Sequence, residues 1–246
     1  MSSQGYAPAT VKVYLSGISY WLKAMGMQDL TESFIIQKML KGMDNLYSAV
    51  DTRKPITIEL LARIMNALTF VCSSVYESLL FRSAFSLAFF ALLRVGEITV
   101  NTATRHVISR TDINFSQNLQ SLHVTIPFSK TDQRGLSTTL VLNPFYQELV
   151  CPVRLLLKYL SVRHRDSGPL FCHCNKNGIT RYQFSKILQK ALSFIGCSSE
   201  NYNTHSFRIG AATYFSMLGQ SDEEIMLKGR WKSSSFKRYI RIELLN

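Results

Sequence analysis

The sequence predicts a mainly α-helical protein that contains one small antiparallel sheet of three strands. Through most of its 246 residues, apolar side chains recur every three or four positions, which is the period of an amphipathic helix. Between about positions 106 and 143 this period changes to two, which is typical of strands. Capping and breaking residues stand at the expected ends of these segments.

The first 50 residues predict a small helical domain. One helix opens at Ala9-Thr10 and ends at Gly26, and a second begins at Thr31-Glu32 and carries Gly42 near its end. The polar segment 51–56 follows and contains a proline, which disfavours helix through the residue before it. We therefore expect three parts: a helical domain over 1–50, a linker over 51–56 and a larger domain over 57–246.

The larger domain is predicted to be helical on both sides of the sheet. A helix over 58–68 is followed by a longer apolar helix that reaches about Leu93. A proline or a hydroxyl side chain opens each further helix, and Ser221 with Glu224 has the spacing of a capping box. The residues predicted to open helices in this domain are Thr57, Pro152, Thr180, Thr204 and Ser221.

Three short strands are predicted in the middle of the larger domain. The first is Val107-Ile108, the second follows the alternating residues 122–126, and the third lies in the Thr- and Val-rich segment 136–142. Segments 116–120 and 132–135 have the composition of the turns between them.

The charge balance favours a polyanionic partner. The net charge is +12 and the pI is about 9.6, and nucleic acid is the first class of partner that such values suggest. A basic protein with a solvated surface is the alternative. Hydrophobic residues make up 46% of the chain, which argues against disorder.

Neither a membrane segment nor a metal site is expected from the sequence. The apolar run 83–93 is too short to span a bilayer, so it predicts a buried helix. Residues 1–10 lack the apolar segment of a signal peptide, and five irregularly spaced cysteines fit reduced thiols inside a cell. Cys172-His173-Cys174 lacks the second ligand pair of a zinc finger, so we predict no metal there.

Six residues far apart in the sequence have the chemistry that a phosphodiester site needs. They are Arg94, Lys130, His205, Arg208, Trp231 and Tyr239. A helix presents His205 and Arg208 on one face, because they are three residues apart. Arg94 follows an apolar run and needs a partner there, for which Glu97 is available. Arginines clamp phosphate oxygens, and fixed donors stabilise the charge that develops on them.

Tyr239 is the candidate nucleophile, since the sequence offers no convincing Ser-His-Asp order or pair of carboxylates. A free phenol has a pKa of about 10, so it needs cationic surroundings and a base in order to attack at neutral pH. Six basic residues and no acidic one lie between Lys228 and Arg241. Taken singly, each of the six site residues also fits a structural role, such as an ion pair, a turn residue or a core aromatic; their order and joint spacing favour a site.

In order and wording these motifs resemble the tyrosine recombinases, which share their site with type IB topoisomerases. The family pattern is Arg, a β-hairpin Lys, His-x-x-Arg, His or Trp, and Tyr. This sequence matches it in L-L-R-V-G-E-I, F-S-K-T-D-Q, H-S-F-R-I-G-A-A-T, G-R-W and Y-I-R. The wording is most similar to the recombinases of DIRS/Ngaro-type retrotransposons and of Crypton elements.

The resemblance covers 55–241 and implies a fold. Segment 57–246 would be the catalytic core shared by tyrosine recombinases and type IB topoisomerases. A helical core-binding domain, which clamps DNA, precedes that core in the family. Residues 6–48 resemble only the last part of it, so the resemblance implies a truncated core-binding domain.

The resemblance also implies how phosphate is held. Arg94 and Arg208 would bind the scissile phosphate, and Trp231 would donate a hydrogen bond to one of its oxygens. Glu97 matches the acidic residue that braces the site from behind.

For the chemistry, the resemblance implies three further roles. Tyr239 would form a 3′-phosphotyrosyl bond, Lys130 would protonate the leaving 5′ oxygen, and His205 would act as acid or base near the tyrosine. Neither a metal ion, ATP nor another cofactor is implied.

The function implied is that of a site-specific DNA recombinase or integrase from a mobile element. Its partner would be double-stranded DNA, on which it forms a homotetramer, with a monomer in the absence of DNA and no membrane association. The implied location is the nucleus. Further DNA contacts are expected from the basic residues Lys12, Lys228, Arg230, Lys232 and Lys237.

Two other functions stay open at the level of sequence. One is a domesticated, non-catalytic DNA-binding remnant that acts as a regulator or scaffold. The other uses the same site to relax supercoiled DNA, as a topoisomerase does.

Overall fold

A computed structural model describes residues 6–46, 51–101, 107–127 and 137–244. The chain divides into two compact units, Met1–Thr52 and Arg53–Asn246. This division falls within the predicted linker, 51–56. The DNA-clamping role of the first unit stays a prediction.

The first unit contains helices α1 (Pro8–Ala24) and α2 (Phe34–Leu46). Thr31-Glu32, predicted to open the second helix, instead belong to a short 3-10 turn. The reason is local: the Asp29 carboxylate accepts a hydrogen bond from the Thr31 amide at 2.9 Å, which caps the turn, and α2 begins two residues after Glu32.

The second unit holds the remaining helices around one hydrophobic core. Helix α4 is buried on nearly all sides and packs against α3, α6 and α8. The apolar run 83–93 lies in α4 and the turn after it, as predicted. Within the described residues, no helix has the length and apolar character needed to cross a membrane. The helices are α3 (Ile58–Val71), α4 (Val75–Phe90), α5 (Val95–Ile98), α6 (Pro152–Val162), α7 (Arg181–Phe194), α8 (Ser206–Met217) and α9 (Asp222–Gly229).

Most of the predicted helix starts are confirmed. The hydroxyls of Thr57, Thr180 and Ser221 each accept a hydrogen bond from a backbone N–H in the first turn of their helices. Thr204 does not have this role, because α8 begins at Ser206 and the Asn203 side chain accepts the His205 amide at 2.8 Å.

The sheet has three antiparallel strands in the order β1–β2–β3, which are Ile113–Phe115, Leu122–Ile126 and Thr138–Leu142. Val124 of the central strand is opposite Ile113 on one side and Leu140 on the other, and all three are buried. The sheet therefore contributes one apolar face to the core.

The first strand was predicted in the wrong place. Val107-Ile108 is not part of the sheet, because the Ile108 amide donates to the Glu97 carbonyl and its carbonyl accepts from Leu170. The turn predicted at 116–120 is confirmed, and Leu119 adopts a left-handed conformation in it. The turn predicted at 132–135 lies outside the described residues.

Helix α8 packs directly on the backbone of the segment that precedes α3. A Cβ built on Gly210 would lie 1.9 Å from the Ile56 carbonyl oxygen, and the Ile56 amide donates to the Ser206 carbonyl at 3.1 Å.

We expect Gly210→Ala to lower the free energy of unfolding by about 1–3 kcal/mol, since backbone cannot move aside cheaply. Urea denaturation checks this. Gly96→Ala is the control, because open space surrounds Gly96, and an equal loss there would refute the clash.

Candidate active site

The turn after α4 places Arg94 and Glu97 together. Arg94 is the N-cap residue of α5, and its backbone N–H donates to Glu97 Oε2 at 2.8 Å. Its side chain donates from Nη1 to Glu97 Oε1 at 3.1 Å. The Glu97 side chain is buried, whereas a quarter of the Arg94 side chain is exposed. Arg94 therefore lies on the open side of this ion pair.

Arg208 lies at the centre of the site, on the buried face of α8. It is only 2% exposed. Its Nη1 donates to the Leu92 carbonyl, and its Nη2 donates to the Gly229 carbonyl at 3.1 Å. The guanidinium thus joins the turn before Arg94 to the end of α9.

Two aromatic rings lie against the Arg208 guanidinium. Its Cζ atom is 4.5 Å from the centroid of the Trp231 ring and 5.6 Å from that of Tyr239. The two rings are 5.1 Å apart. A cation within about 6 Å of an aromatic centroid is attracted to the ring, so these contacts stabilise the cluster. Three of the six predicted site residues are therefore in mutual contact.

Helix α9 ends at Gly229, but the residue in the left-handed conformation is Arg230, which follows it. Helices commonly end with glycine in the left-handed conformation, but here Arg230 has a φ of 54°. Gly229 instead provides space, because a Cβ there would lie 1.7 Å from the Trp231 ring. A left-handed residue other than glycine costs roughly 1–2 kcal/mol, which contacts of the Arg230 side chain must offset.

Those contacts bury the side chain of Arg230, from which a DNA contact was expected. Arg230 is 8% exposed, and its Nη2 donates to Glu97 Oε2 at 2.8 Å. It also donates to the carbonyls of Ala91, Leu92 and Lys228, each at 3.2 Å. The sequence did not reveal these contacts of Arg230, because it stands in a basic run and its acidic partner Glu97 lies 133 positions away.

Tyr239 ends a 3-10 turn over Ser234–Tyr239 and is held through its backbone. The Thr213 hydroxyl donates to the Tyr239 carbonyl at 3.2 Å and accepts from the Arg241 amide at 2.9 Å. Thr213 is buried in α8, further along the helix than Arg208. Sequence reasoning did not single it out, although a threonine on the buried face of that helix was a signal.

His205 and Lys130 complete the predicted set. His205 is partly exposed and precedes α8, so it lies one turn before Arg208. Lys130 falls in segment 128–136, between β2 and β3, and lies outside the described residues.

The charged groups of the site change the pKa values of its buried arginines. Burial lowers the pKa of the Arg208 guanidinium, and repulsion from Arg94 and Arg230 lowers it further, while Glu97 acts in the other direction. Burial also lowers the pKa of Arg230, and Glu97 opposes that shift. Three guanidiniums and one carboxylate lie among the described residues of the site, so these groups carry an excess of positive charge and suit an anion.

The other basic residues predicted to contact DNA have different surroundings. Lys12 is paired with Asp44 at 2.6 Å, and Lys237 with Asp222 at 3.2 Å; all four side chains are about half exposed. Lys232 is exposed. Lys228 donates to Gln220 at 2.6 Å and lies over the Phe215 ring.

No trio of His, Cys, Asp or Glu side chains suited to a metal ion occurs within 6–46, 51–101, 107–127 or 137–244. Cys172 is buried and Cys174 is exposed, and the His173 backbone N–H donates to the Asn177 carbonyl in a tight turn that contains Cys174.

Solved structures similar to this chain share its fold. A lambda integrase dimer bound to a COC′ core site has a TM-score of 0.64 at 18% identity, over 94% of this chain and 59% of that one. The XerH recombinase in a post-cleavage complex with its palindromic difH substrate has a TM-score of 0.57 at 16% identity, over 77% and 51%. The Tn1549 transposon integrase in complex with circular-intermediate DNA has a TM-score of 0.60 at 10% identity, over 98% and 77%.

These neighbours are tyrosine recombinases and integrases, and the chain has the fold of a tyrosine recombinase catalytic domain. The fold class predicted from sequence is thereby confirmed. The chain spans only half to three fifths of the XerH and lambda integrase chains. No protein-family model and no curated protein matches the sequence.

Proposed function

We propose that this chain is a site-specific DNA recombinase that cleaves and rejoins strands through a 3′-phosphotyrosyl intermediate. The observation that carries the proposal is the contact of the Arg208 guanidinium with the rings of Trp231 and Tyr239, beside the ion pair of Arg94 and Glu97. It brings a phenol and the cations that we propose to bind phosphate into one site. The fold of the neighbouring recombinases supports the same reading.

In the proposed reaction, the Tyr239 oxygen attacks the scissile phosphorus, and the bond from phosphorus to the 5′ oxygen breaks. The phenol proton passes to His205, and the leaving 5′ oxygen takes a proton from Lys130. Arg94 and Arg208 bind the non-bridging oxygens, on which charge develops. Attack of a 5′-hydroxyl on the phosphotyrosine then rejoins a strand. One phosphodiester replaces another, so the exchange needs no ATP.

The wider setting of this function is also part of the proposal. Double-stranded DNA is the proposed partner, bound by a homotetramer, as in the lambda integrase tetramer on a Holliday junction. The motif wording supports an origin in a DIRS/Ngaro-type or Crypton mobile element, and such an element acts in the nucleus.

One observation favours a second candidate function, a DNA-binding protein without catalysis. Arg208 is 2% exposed, and both of its terminal nitrogens donate to backbone carbonyls. A phosphate must displace the covering rings, or approach beside them, before it contacts this guanidinium. A protein in which that never happens would bind DNA but not cut it.

Tyr239→Phe distinguishes the two functions. Duplexes of randomised sequence that carry a nick release a short fragment on cleavage and so trap any covalent complex. We expect the wild-type protein to give an adduct on a denaturing gel and the Tyr239→Phe variant to give none, because the attacking oxygen is gone.

Tyr146→Phe serves as the matched control, since Tyr146 is 84% exposed and outside the site. It should form the adduct as the wild type does. An adduct that still forms in the Tyr239→Phe variant would refute the proposal. A wild-type protein that binds the same duplexes and forms no adduct supports the second candidate.

A further inference from the structure

We propose that Arg230 is a positioning residue for strand cleavage. By holding one oxygen of Glu97, it prevents that carboxylate from drawing the Arg94 side chain away from the phosphate. The inference rests on the proposed function, because it assigns Arg230 a task in that reaction. Arg230 itself has no contact with substrate in this scheme. It acts through Glu97 and through the backbone of the turn that precedes Arg94.

The two carboxylate oxygens of Glu97 are divided between two arginines. Oε1 accepts from Arg94 at 3.1 Å, and Oε2 accepts from Arg230 at 2.8 Å. Without Arg230, the whole charge of a buried carboxylate would act on the Arg94 side chain. A two-bond pair between arginine and carboxylate is the strongest geometry available, and it would compete directly with a phosphate for Arg94.

Arg230 also links the loop that carries Trp231 to the turn before Arg94. It donates to the carbonyls of Ala91 and Leu92, and the Leu92 carbonyl also accepts from Arg208. Two guanidiniums therefore share one carbonyl oxygen. Since Trp231 directly follows Arg230, a shift of this side chain moves the indole and the Arg208 contact together.

The left-handed backbone of Arg230 fits this role. With a φ of 54°, it takes a conformation that glycine adopts more readily, and Gly229 stands directly before it. The chain keeps a long cationic side chain where a glycine would relieve the backbone. At 8% exposure and with bonds to Glu97, Ala91 and Leu92, that side chain is a poor candidate for direct DNA contact.

The experiment measures cleavage and binding separately in Arg230→Met, Glu97→Gln and the double variant. It uses the nicked duplexes that the wild type cleaves. We expect Arg230→Met to slow adduct formation at saturating DNA by about 100-fold, because a misplaced arginine costs that much. DNA affinity should stay within about threefold, since it depends on many phosphate contacts. In the double variant the rate should recover at least about tenfold relative to Arg230→Met, because the uncompensated carboxylate is gone.

Each outcome bears on a different claim. Absence of a wild-type adduct refutes the proposed function, and this inference falls with it. A wild-type adduct with an unchanged rate in Arg230→Met overturns this inference alone. The inference is also overturned if the rate lost in Arg230→Met is not recovered in the double variant with Glu97→Gln. A merely structural role of Arg230 would give no such recovery.

A second variant covers the case in which Arg230→Met does not fold. Arg230→Lys keeps the charge, but one ammonium cannot hold Glu97 and the two carbonyls at the same time. We expect it to slow adduct formation by about tenfold. A wild-type rate in Arg230→Lys would also overturn the inference. Arg63→Met, which removes an arginine on α3 that donates to the Ile195 carbonyl, should leave the rate unchanged.

Discussion

Replacing Arg208 with lysine is expected to slow adduct formation by about 100- to 1000-fold, the loss typical of one fixed donor at a developing oxyanion. Lysine keeps the charge, but a single ammonium cannot hold the carbonyls of Leu92 and Gly229 and also a phosphate oxygen. Lysine also lacks the planar face that packs on Trp231. Single-turnover trapping on nicked duplexes, at DNA concentrations that saturate binding, measures the loss.

Arg163→Lys is the matched control for that experiment. Arg163 is likewise buried and donates to backbone carbonyls, those of His164, Asp166, Pro169 and Leu170. Its loss should lower stability and leave the cleavage rate of the folded protein unchanged. If both variants lose rate equally, Arg208 has no special role in the site.

Replacing Glu97 with alanine is expected to lower the free energy of unfolding by about 3–5 kcal/mol. The change leaves the guanidiniums of Arg94 and Arg230 without their carboxylate, and removal of one partner from a buried ion pair carries a cost of that size. It also removes the acceptor of the Arg94 backbone N–H and so the cap of α5. Urea denaturation followed by circular dichroism measures the loss.

An exposed ion pair provides the comparison. Asp166 and Lys176 are 2.6 Å apart, and both side chains are more than half exposed. Water and salt screen such a pair, so Asp166→Ala should cause a much smaller loss than Glu97→Ala. Similar losses in the two variants would show that burial does not give the Glu97 pairs their strength.

Most signals that act within one helical turn were read correctly from the sequence, although the starts predicted at Thr31-Glu32 and Thr204 were wrong. The caps at Thr57, Thr180 and Ser221 each depend only on a residue three positions away, so local spacing was sufficient. The first strand was misplaced because strand pairing is not local. Ile108 has the right side chain for a strand, but its backbone bonds to Glu97 and Leu170 rather than to β2.

The candidate site was predicted in part for the same reason. Arg208, Trp231 and Tyr239 were chosen by their order in the chain, and the structure brings them into contact. The two supporting residues were not recognised, since their partners are distant. Arg230 was predicted to contact DNA because it stands in a basic run, and Thr213, which bonds on both sides of Ile240, was passed over.

The sharing of the Leu92 carbonyl also bears on how the protein folds. Its partners Arg208 and Arg230 lie 116 and 138 positions further along the chain. Contacts of such large sequence separation form late and slowly, because a long loop must close before they yield any free energy. A partly folded chain would therefore have its tyrosine without the arginines around it. Under the proposed function, competence to cut DNA should arise in the same cooperative step that completes the native state.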